Sequence, residues 1–368
     1  MLKAHPFPRR LNLPLEEGRV FKAGLKKGRL VSRGETLASS PSPFLPDLAA
    51  PLPGKILNVG GRSVSLEVDL DIGLEAPAVD WNILDPDGAR DALKKLGLRV
   101  PPAPRPGEPL RVSGFDPEPG VNLARALFED QRGALEAGLR LLALLFPGKT
   151  ILQALPGDFR PLGGPEAARI FPGLKYPRTL PAFLKSAPRR GASFDPQASG
   201  LVEARELYLL GTVFRSGAAP AARPLSLNGQ PVLATPGLGP LELFGLRNLT
   251  VRDGDLVILG GLARGRALSD LSAGLGPDAA ALNLVRGPRP APSRCLLCGR
   301  CREACPLDLP AHILGRTPFP RWPEVLRRLP DLAFCPACGL CAAACPAGIP
   351  LSSLRAGAAP AGKDRCRF

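Results

Sequence analysis

The chain has 368 residues, a formal charge of +15 and an isoelectric point near 9.9, and is long enough for about two to four domains. No run of about 18 consecutive apolar residues occurs, and the most apolar stretch, 135–146, is interrupted by Glu136 and Arg140, which argues against a membrane-spanning helix. Aromatic residues make up 5% and the arginines are scattered, so a nucleic-acid interface built on stacked bases is not expected. Anionic lipid headgroups, an acidic protein partner, or simply an arginine-rich composition stay open as explanations of the charge.

Residues 7–75 alternate short apolar segments with glycine turns. VFKAGLKKGRLVSRGETLA and APLPGKILNVGGRSVSLEVDL predict short strands, and the alternation over 63–70 is the clearest. This pattern resembles the barrel-sandwich hybrid of lipoyl and biotinyl domains. Those domains carry a modified lysine at a hairpin tip, whereas the turn at 58–62 has none, so a docking or packing module is expected rather than a carrier.

A helix is expected over 87–96, followed by a proline-rich break at 97–109 (GLRVPPAPRPGEP). A strand in LRVSGF, a turn in DPEPG, an amphipathic helix over 122–146 and a buried strand in KTILQALP follow. Strand, helix and strand in that order point to a small α/β unit. Residues 157–190 are loop-rich, with KYPRTLPAFLK at 175–185 as their most distinctive piece. A helix is expected over 201–214.

RPLSLNGQPVLATPG reads as two strands around an Asn228 and Gly229 turn, a strong hairpin signal. A short helix in LELFGL and a strand in DGDLVILGGLARG complete a compact β-rich module over about 223–275. RGPRPAPSR at 286–294 carries three prolines and reads as a semi-rigid spacer.

Beyond the spacer, Cys295, Cys298, Cys301 and Cys305 are followed by Pro306, and Cys335, Cys338, Cys341 and Cys345 by Pro346. Each run reads C-x2-C-x2-C-x3-C-P, the spacing of bacterial two-cluster ferredoxins, in which the fourth cysteine ligates the other cluster. That spacing implies Cys295, Cys298, Cys301 and Cys345 on one [4Fe-4S] cluster, and Cys335, Cys338, Cys341 and Cys305 on the second. Two such clusters would carry roughly −2 charges each and lower the net charge, which stays positive. Disulfides would need an oxidising compartment, and the opening MLKAHPFPRRLNLPLEEG lacks the apolar core of an export signal. Structural zinc favours two separated cysteine pairs, not three cysteines within seven residues. Cys366 falls outside the pattern and is expected to be a tail thiol.

The other chemistry-bearing residues say little. His5 and His312 are the only histidines, and His312, just after the first run, is expected to cap or pack a helix. No C-x-x-C-H, G-x-S-x-G or H-E-x-x-H occurs, so haem attachment and hydrolase chemistry lack support. FPRWPEVLRRLPDLAF, between the two runs, predicts a helix over 323–329 covering the clusters, and Trp322, Arg327 and Arg328 could also meet a partner or lipid headgroups.

The order of these modules resembles the C subunit of Rnf-type electron-transport complexes. VSGFDPEPG followed by NLARALFEDQRGALEAGLRLL is also similar to the A subunit of the sodium-translocating NADH:quinone reductase (Nqr). The resemblance implies a multidomain α+β protein. Its parts would be a barrel-sandwich hybrid (1–75), an α/β domain like the flavin and NADH domain of respiratory complex I (76–222), an SLBB-like β-grasp module (223–285) and an α-helical dicluster ferredoxin domain (286–368). It further implies integral membrane subunits of an Rnf/Nqr-type complex as partners, a protein electron donor or acceptor, and a cytoplasmic, peripheral position on the inner face of the plasma membrane.

One departure matters. Where the Rnf C subunit has a loop of the type GGAGFP that beds the cofactor, this chain has RVPPAPRPGEP at 99–109. Glycine lets backbone N–H groups approach a phosphate, while proline has no N–H and fixes its own φ. FMN binding is therefore not expected, and no catalytic residue is assigned. An electron relay through the clusters is the favoured expectation. An NADH-oxidising flavin subunit of the same complex type, and a dicluster adaptor of a quinone- or heterodisulfide-type reductase, are the alternatives.

Overall fold

The computed structural model describes residues 3–4, 7–16, 18–42, 45–72, 77–163, 168–171, 174–180, 183, 200–287, 292–317, 321–329, 332 and 335–351. It is a mixed α/β protein with several sheets, and among the described residues no helix is long and apolar enough to cross a membrane.

The N-terminal strands form two small antiparallel sheets. One runs Arg10–Pro14, Ser63–Val68, Gly54–Gly60, Leu30–Val31; the other runs Val20–Phe21, Thr36–Ser39, Leu48–Ala49. Period-two alternation turns Leu11, Leu13, Ile56, Val64 and Leu66 inward, and all five are buried. Their register explains it: Leu11 pairs with Leu66, Leu13 with Val64, and Ile56 with Leu66.

The second sheet is fully parallel, in the order Ala168–Phe171, Ile151–Pro156, Leu110–Ser113, Leu201–Glu203. The chain therefore winds outward from Leu110–Ser113 and then returns to its other side, which makes a switch point between that strand and Leu201–Glu203. Two expectations are corrected here. The helix expected from 201 begins at Ala204, because Leu201 and Val202 are buried as sheet partners of Arg111 and Val112. The single helix expected over 122–146 is two, Ala124–Asp130 and Arg132–Leu145, broken where Gln131 leaves the helical region at φ −126° and ψ 28°.

Helices Arg132–Leu145 and Ala204–Ser216 pack closely through two glycines. A Cβ on Gly211 would lie 1.6 Å from the Ala134 carbonyl oxygen, and one on Gly138 would lie 2.3 Å from that of Leu207. The helix expected over 87–96 is Pro86–Lys95, capped by the Asp85 carboxylate, which accepts from the Gly88 N–H at 2.7 Å.

The third sheet has the order Lys3–Ala4, Gln230–Ala234, Arg223–Leu227, Ala281–Val285, Leu256–Leu259, Arg266–Ala267. The Asn228 and Gly229 hairpin is present, with both residues at positive φ. The sequence reading missed Ala281–Val285, which lies in the middle of this sheet, and Lys3–Ala4, which pairs with Gln230–Ala234 at its edge. This sheet shares one hydrophobic core with the N-terminal strands, where Leu11, Leu13 and Val64 meet Leu225, Phe244 and Leu282.

Between the second and third sheets, the DPEPG turn is locked to the turn at 260–264. The Glu118 carboxylate accepts the N–H groups of Gly261 and Arg264 at 3.3 and 2.8 Å, and Leu262 N–H donates to the Pro119 carbonyl at 2.7 Å. The Gly120 carbonyl accepts from Ser226 Oγ and Asn283 Nδ2, at 3.1 and 3.2 Å. This clamp makes the platform on which the cysteine-rich region rests.

Candidate metal centre

The two cysteine runs fold the same way, residue for residue. In each, the residue before the second cysteine (Leu297, Ala337) has positive φ, and so does the glycine after it (Gly299, Gly339). A single turn of helix follows, Arg300–Glu303 in one run and Leu340–Ala343 in the other, and it carries the third cysteine. The chain then closes with matching backbone bonds, Asp308 N–H to the Cys305 carbonyl and Gly348 N–H to the Cys345 carbonyl, both at 3.1 Å. The left-handed positions curl the backbone so that closely spaced side chains line one cavity.

Each curl surrounds a cavity. The first, about 210 Å³, is lined by Cys295, Cys298 and Cys301 together with Cys345 from the other run. The second is lined by Cys335, Cys338 and Cys341 together with Cys305. Cys345 and Cys305 thus each line the cavity of the other run. The second cavity is smaller, about 20 Å³.

The eight cysteines are not joined in disulfides. Backbone N–H groups point at their sulfurs, Leu309 to Cys305 Sγ at 3.3 Å and Ala337 to Cys335 Sγ at 3.4 Å. Among the described residues no three His, Cys, Asp or Glu side chains converge tightly enough to ligate one metal ion. A cubane takes one thiolate at each of its four irons, so its ligands stand apart around a cavity instead of meeting at a point. The donor set suits it, with four thiols on each cavity and no carboxylate.

Burial pushes three of the thiols up. Cys301 and Cys338 are raised above the usual thiol value, mainly by desolvation, and Cys341 is pushed up to about 12 by desolvation together with the neighbouring Cys335 and Cys338. Thiols held this way stay protonated until a cation compensates them, so loading them with metal releases protons.

The surroundings of the two cavities differ. The second run is pressed onto the clamp: Gly339 packs so closely that a Cβ would lie 2.0 Å from the Ala263 carbonyl oxygen. Tyr176 donates its hydroxyl hydrogen to the Cys338 carbonyl, and burial raises the Tyr176 phenol above its ordinary value. The first run faces outward. Cys298 is exposed, Leu296 and Leu297 are 64% and 65% exposed, and a Cβ on Gly299 would meet nothing within 4 Å.

His312 opens the short helix His312–Arg316 and lines the first cavity beside the cysteines. The helix expected over 323–329 spans Trp322–Arg328, and its Val325 packs in the small core with Leu309, Leu314 and Leu332. Arg327 and Arg328 are exposed, and Arg328 pairs with Glu324 at 2.7 Å. Cys366, His5 and part of the 175–185 segment lie outside the described residues. Sequence reading missed Tyr176, Glu118 and Ala263 as neighbours of the second run. The KYP and GGLARG segments were visible, but no local signal joins them across the chain.

No protein-family model matches the chain, and no significant match occurs among the curated proteins.

Proposed function

We propose that this chain is an iron–sulfur electron-transfer subunit of a membrane-associated Rnf/Nqr-type complex. The observation that carries this reading is the pair of cavities, each lined by three cysteines of one run and the fourth of the other. Bound there, two [4Fe-4S] clusters would supply one-electron carriers. The chain's own residues do the rest. Eight thiolates hold the metal, the Leu309 and Ala337 N–H groups donate to sulfur, and burial of Cys338 and Cys341 keeps water from the inner site. Such hydrogen bonds and solvent exclusion are the means by which a protein sets a cluster's potential.

The module order supports the wider reading: a barrel-sandwich-like N-terminal unit, a four-stranded parallel α/β unit, a β-grasp-like sheet and the cysteine-rich region. We place the chain on the cytoplasmic face of the plasma membrane, held by integral subunits. The NADH-oxidising alternative would put a flavin at the sheet's switch point, between the carboxyl ends of Leu110–Ser113 and Leu201–Glu203. Beside it, the Glu118 carboxylate accepts the N–H groups of Gly261 and Arg264.

Anaerobic purification with iron, acid-labile sulfide and flavin analysis tests both. The relay reading expects about eight irons and about eight sulfides per chain, and paramagnetic signals of two reduced clusters. Zinc in place of iron would sink it. Stoichiometric flavin with cluster bleaching by NADH would favour the alternative, and failure to co-purify with membrane subunits would remove the complex.

A further inference from the structure

The two cysteine runs share a backbone, so their surfaces can be compared position by position. Around the inner site the residues are small or apolar, and they are covered: Pro336 and Gly339 are buried, Ala337 and Leu340 are half-buried, and the 260–264 turn sits against them. At the equivalent outer positions stand Leu296, Leu297, Gly299 and Arg300. Leu296 and Leu297 are both largely exposed, next to the exposed Cys298. Leu297 is held in the left-handed region at φ 57°, where a bulky side chain is uncommon.

A basic rim surrounds this apolar edge. Arg294 precedes Cys295, Arg300 follows Gly299, and Arg316 lines the same cavity; all three are exposed, and none forms an ion pair with a described residue. Arg302 is different, because both oxygens of Asp308 hold its guanidinium, at 2.8 and 3.0 Å. Among the described residues, three arginines without an ion pair therefore stand beside two exposed leucines at the first cavity. Small apolar centres with a charged rim are the anatomy of transient protein encounters, where charge complementarity steers approach and selects the partner.

Resting on the iron–sulfur reading above, we infer that the Leu296 and Leu297 edge is the docking face for a small acidic one-electron carrier protein. The leucines exclude water at the contact, and Arg294, Arg300 and Arg316 meet the carrier's carboxylates. Among the described residues the second cavity has no matching pair of exposed leucines, so exchange with the partner takes place at the first.

The test uses the anaerobically purified holoprotein and an acidic two-cluster bacterial ferredoxin as probe, with binding read by biolayer interferometry. Weak binding is expected, and it should loosen about tenfold or more between low and high salt, as screening of a charge-steered contact requires. The triple variant Arg294→Glu/Arg300→Glu/Arg316→Glu should abolish binding, the corresponding triple Lys variant should retain it, and Leu296→Asp should weaken it about tenfold. Basic cytochrome c should not bind the unmodified protein.

Salt-independent binding, no binding, or charge reversal without effect each overturns the inference. So does sedimentation with anionic phospholipid vesicles that the same charge reversal abolishes while ferredoxin binding persists, since the rim would then be a membrane contact. The salt titration needs no variant, so a misfolded triple mutant does not rescue the idea. Absent iron and sulfide would sink the cluster reading by itself. Absent carrier binding in protein holding its full iron would sink only the docking face.

Discussion

Tyr176 donates its hydroxyl hydrogen to the backbone carbonyl of Cys338, which ties a loop of the α/β unit to the peptide of an inner-site thiol. Cys338 is buried and Tyr176 half-buried, so removing the hydroxyl takes a hydrogen-bond partner from the carbonyl. Tyr176→Phe is expected to cost about 1–2 kcal/mol and to shift the midpoint potential of the inner site while leaving the outer one in place. Thermal unfolding and a redox titration followed by paramagnetic resonance check this. Equal shifts at both sites would contradict it.

Gly299 and Gly339 occupy equivalent left-handed positions, at φ 76° and 78°, with different neighbours. Gly299→Ala meets no obstacle and should cost only the conformational penalty, about 1–2 kcal/mol. Gly339→Ala drives a methyl against the Ala263 carbonyl and should cost at least ~3 kcal/mol, because backbone must move. Limited proteolysis across 292–351 should show release of the region for the second variant alone.

The crossed cysteines make a pairing prediction. Cys305→Ser should resemble Cys338→Ser in the signal it removes, although Cys305 belongs to the first run by sequence; Cys345→Ser should resemble Cys298→Ser. Either change is expected to cut iron from about eight per chain toward about four. If variants instead group by run, the cavity assignment is wrong.

Glu203 sits at the carboxyl end of its strand, and burial together with Glu206 raises its carboxyl from 4.5 to about 7. The folded protein therefore binds a proton there that the unfolded chain has lost between pH 4.5 and about 7. Stability contributed by this group falls as pH rises through that window. Glu203→Gln should flatten the fall, as seen in melting temperature against pH. A wild-type profile that rises there would reverse the assignment.

The crossing of Arg132–Leu145 with Ala204–Ser216 depends on Gly211. Gly211→Ala is expected to cost more than ~3 kcal/mol, since the new methyl would overlap the Ala134 carbonyl and two helices must separate. A melting temperature unchanged from wild type would mean that the helices do not pack this way.

Much of the site was legible in the sequence because the thiols are ordered by local spacing. Their three-residue intervals and left-handed turns are set within one curl of chain, and only the exchange of Cys305 and Cys345 is long-range. The strands with strict alternation, such as Ser63–Val68, were equally readable. What failed depended on distant partners. Leu201 and Val202 look helical until Arg111 and Val112 recruit them to a sheet, and Lys3–Ala4 has no periodicity until Val232 and Leu233 pair with it. The contact of Gly339 with Ala263 likewise leaves no trace in either segment alone.

The exchange of fourth cysteines has a consequence for how this region can be built or lost. Cutting the chain between the two runs leaves each half with three thiols of its own and one that belongs to the other's cavity. Neither half is a complete chelator. Neither cavity can therefore gather its four thiols unless both runs are present in one folded region.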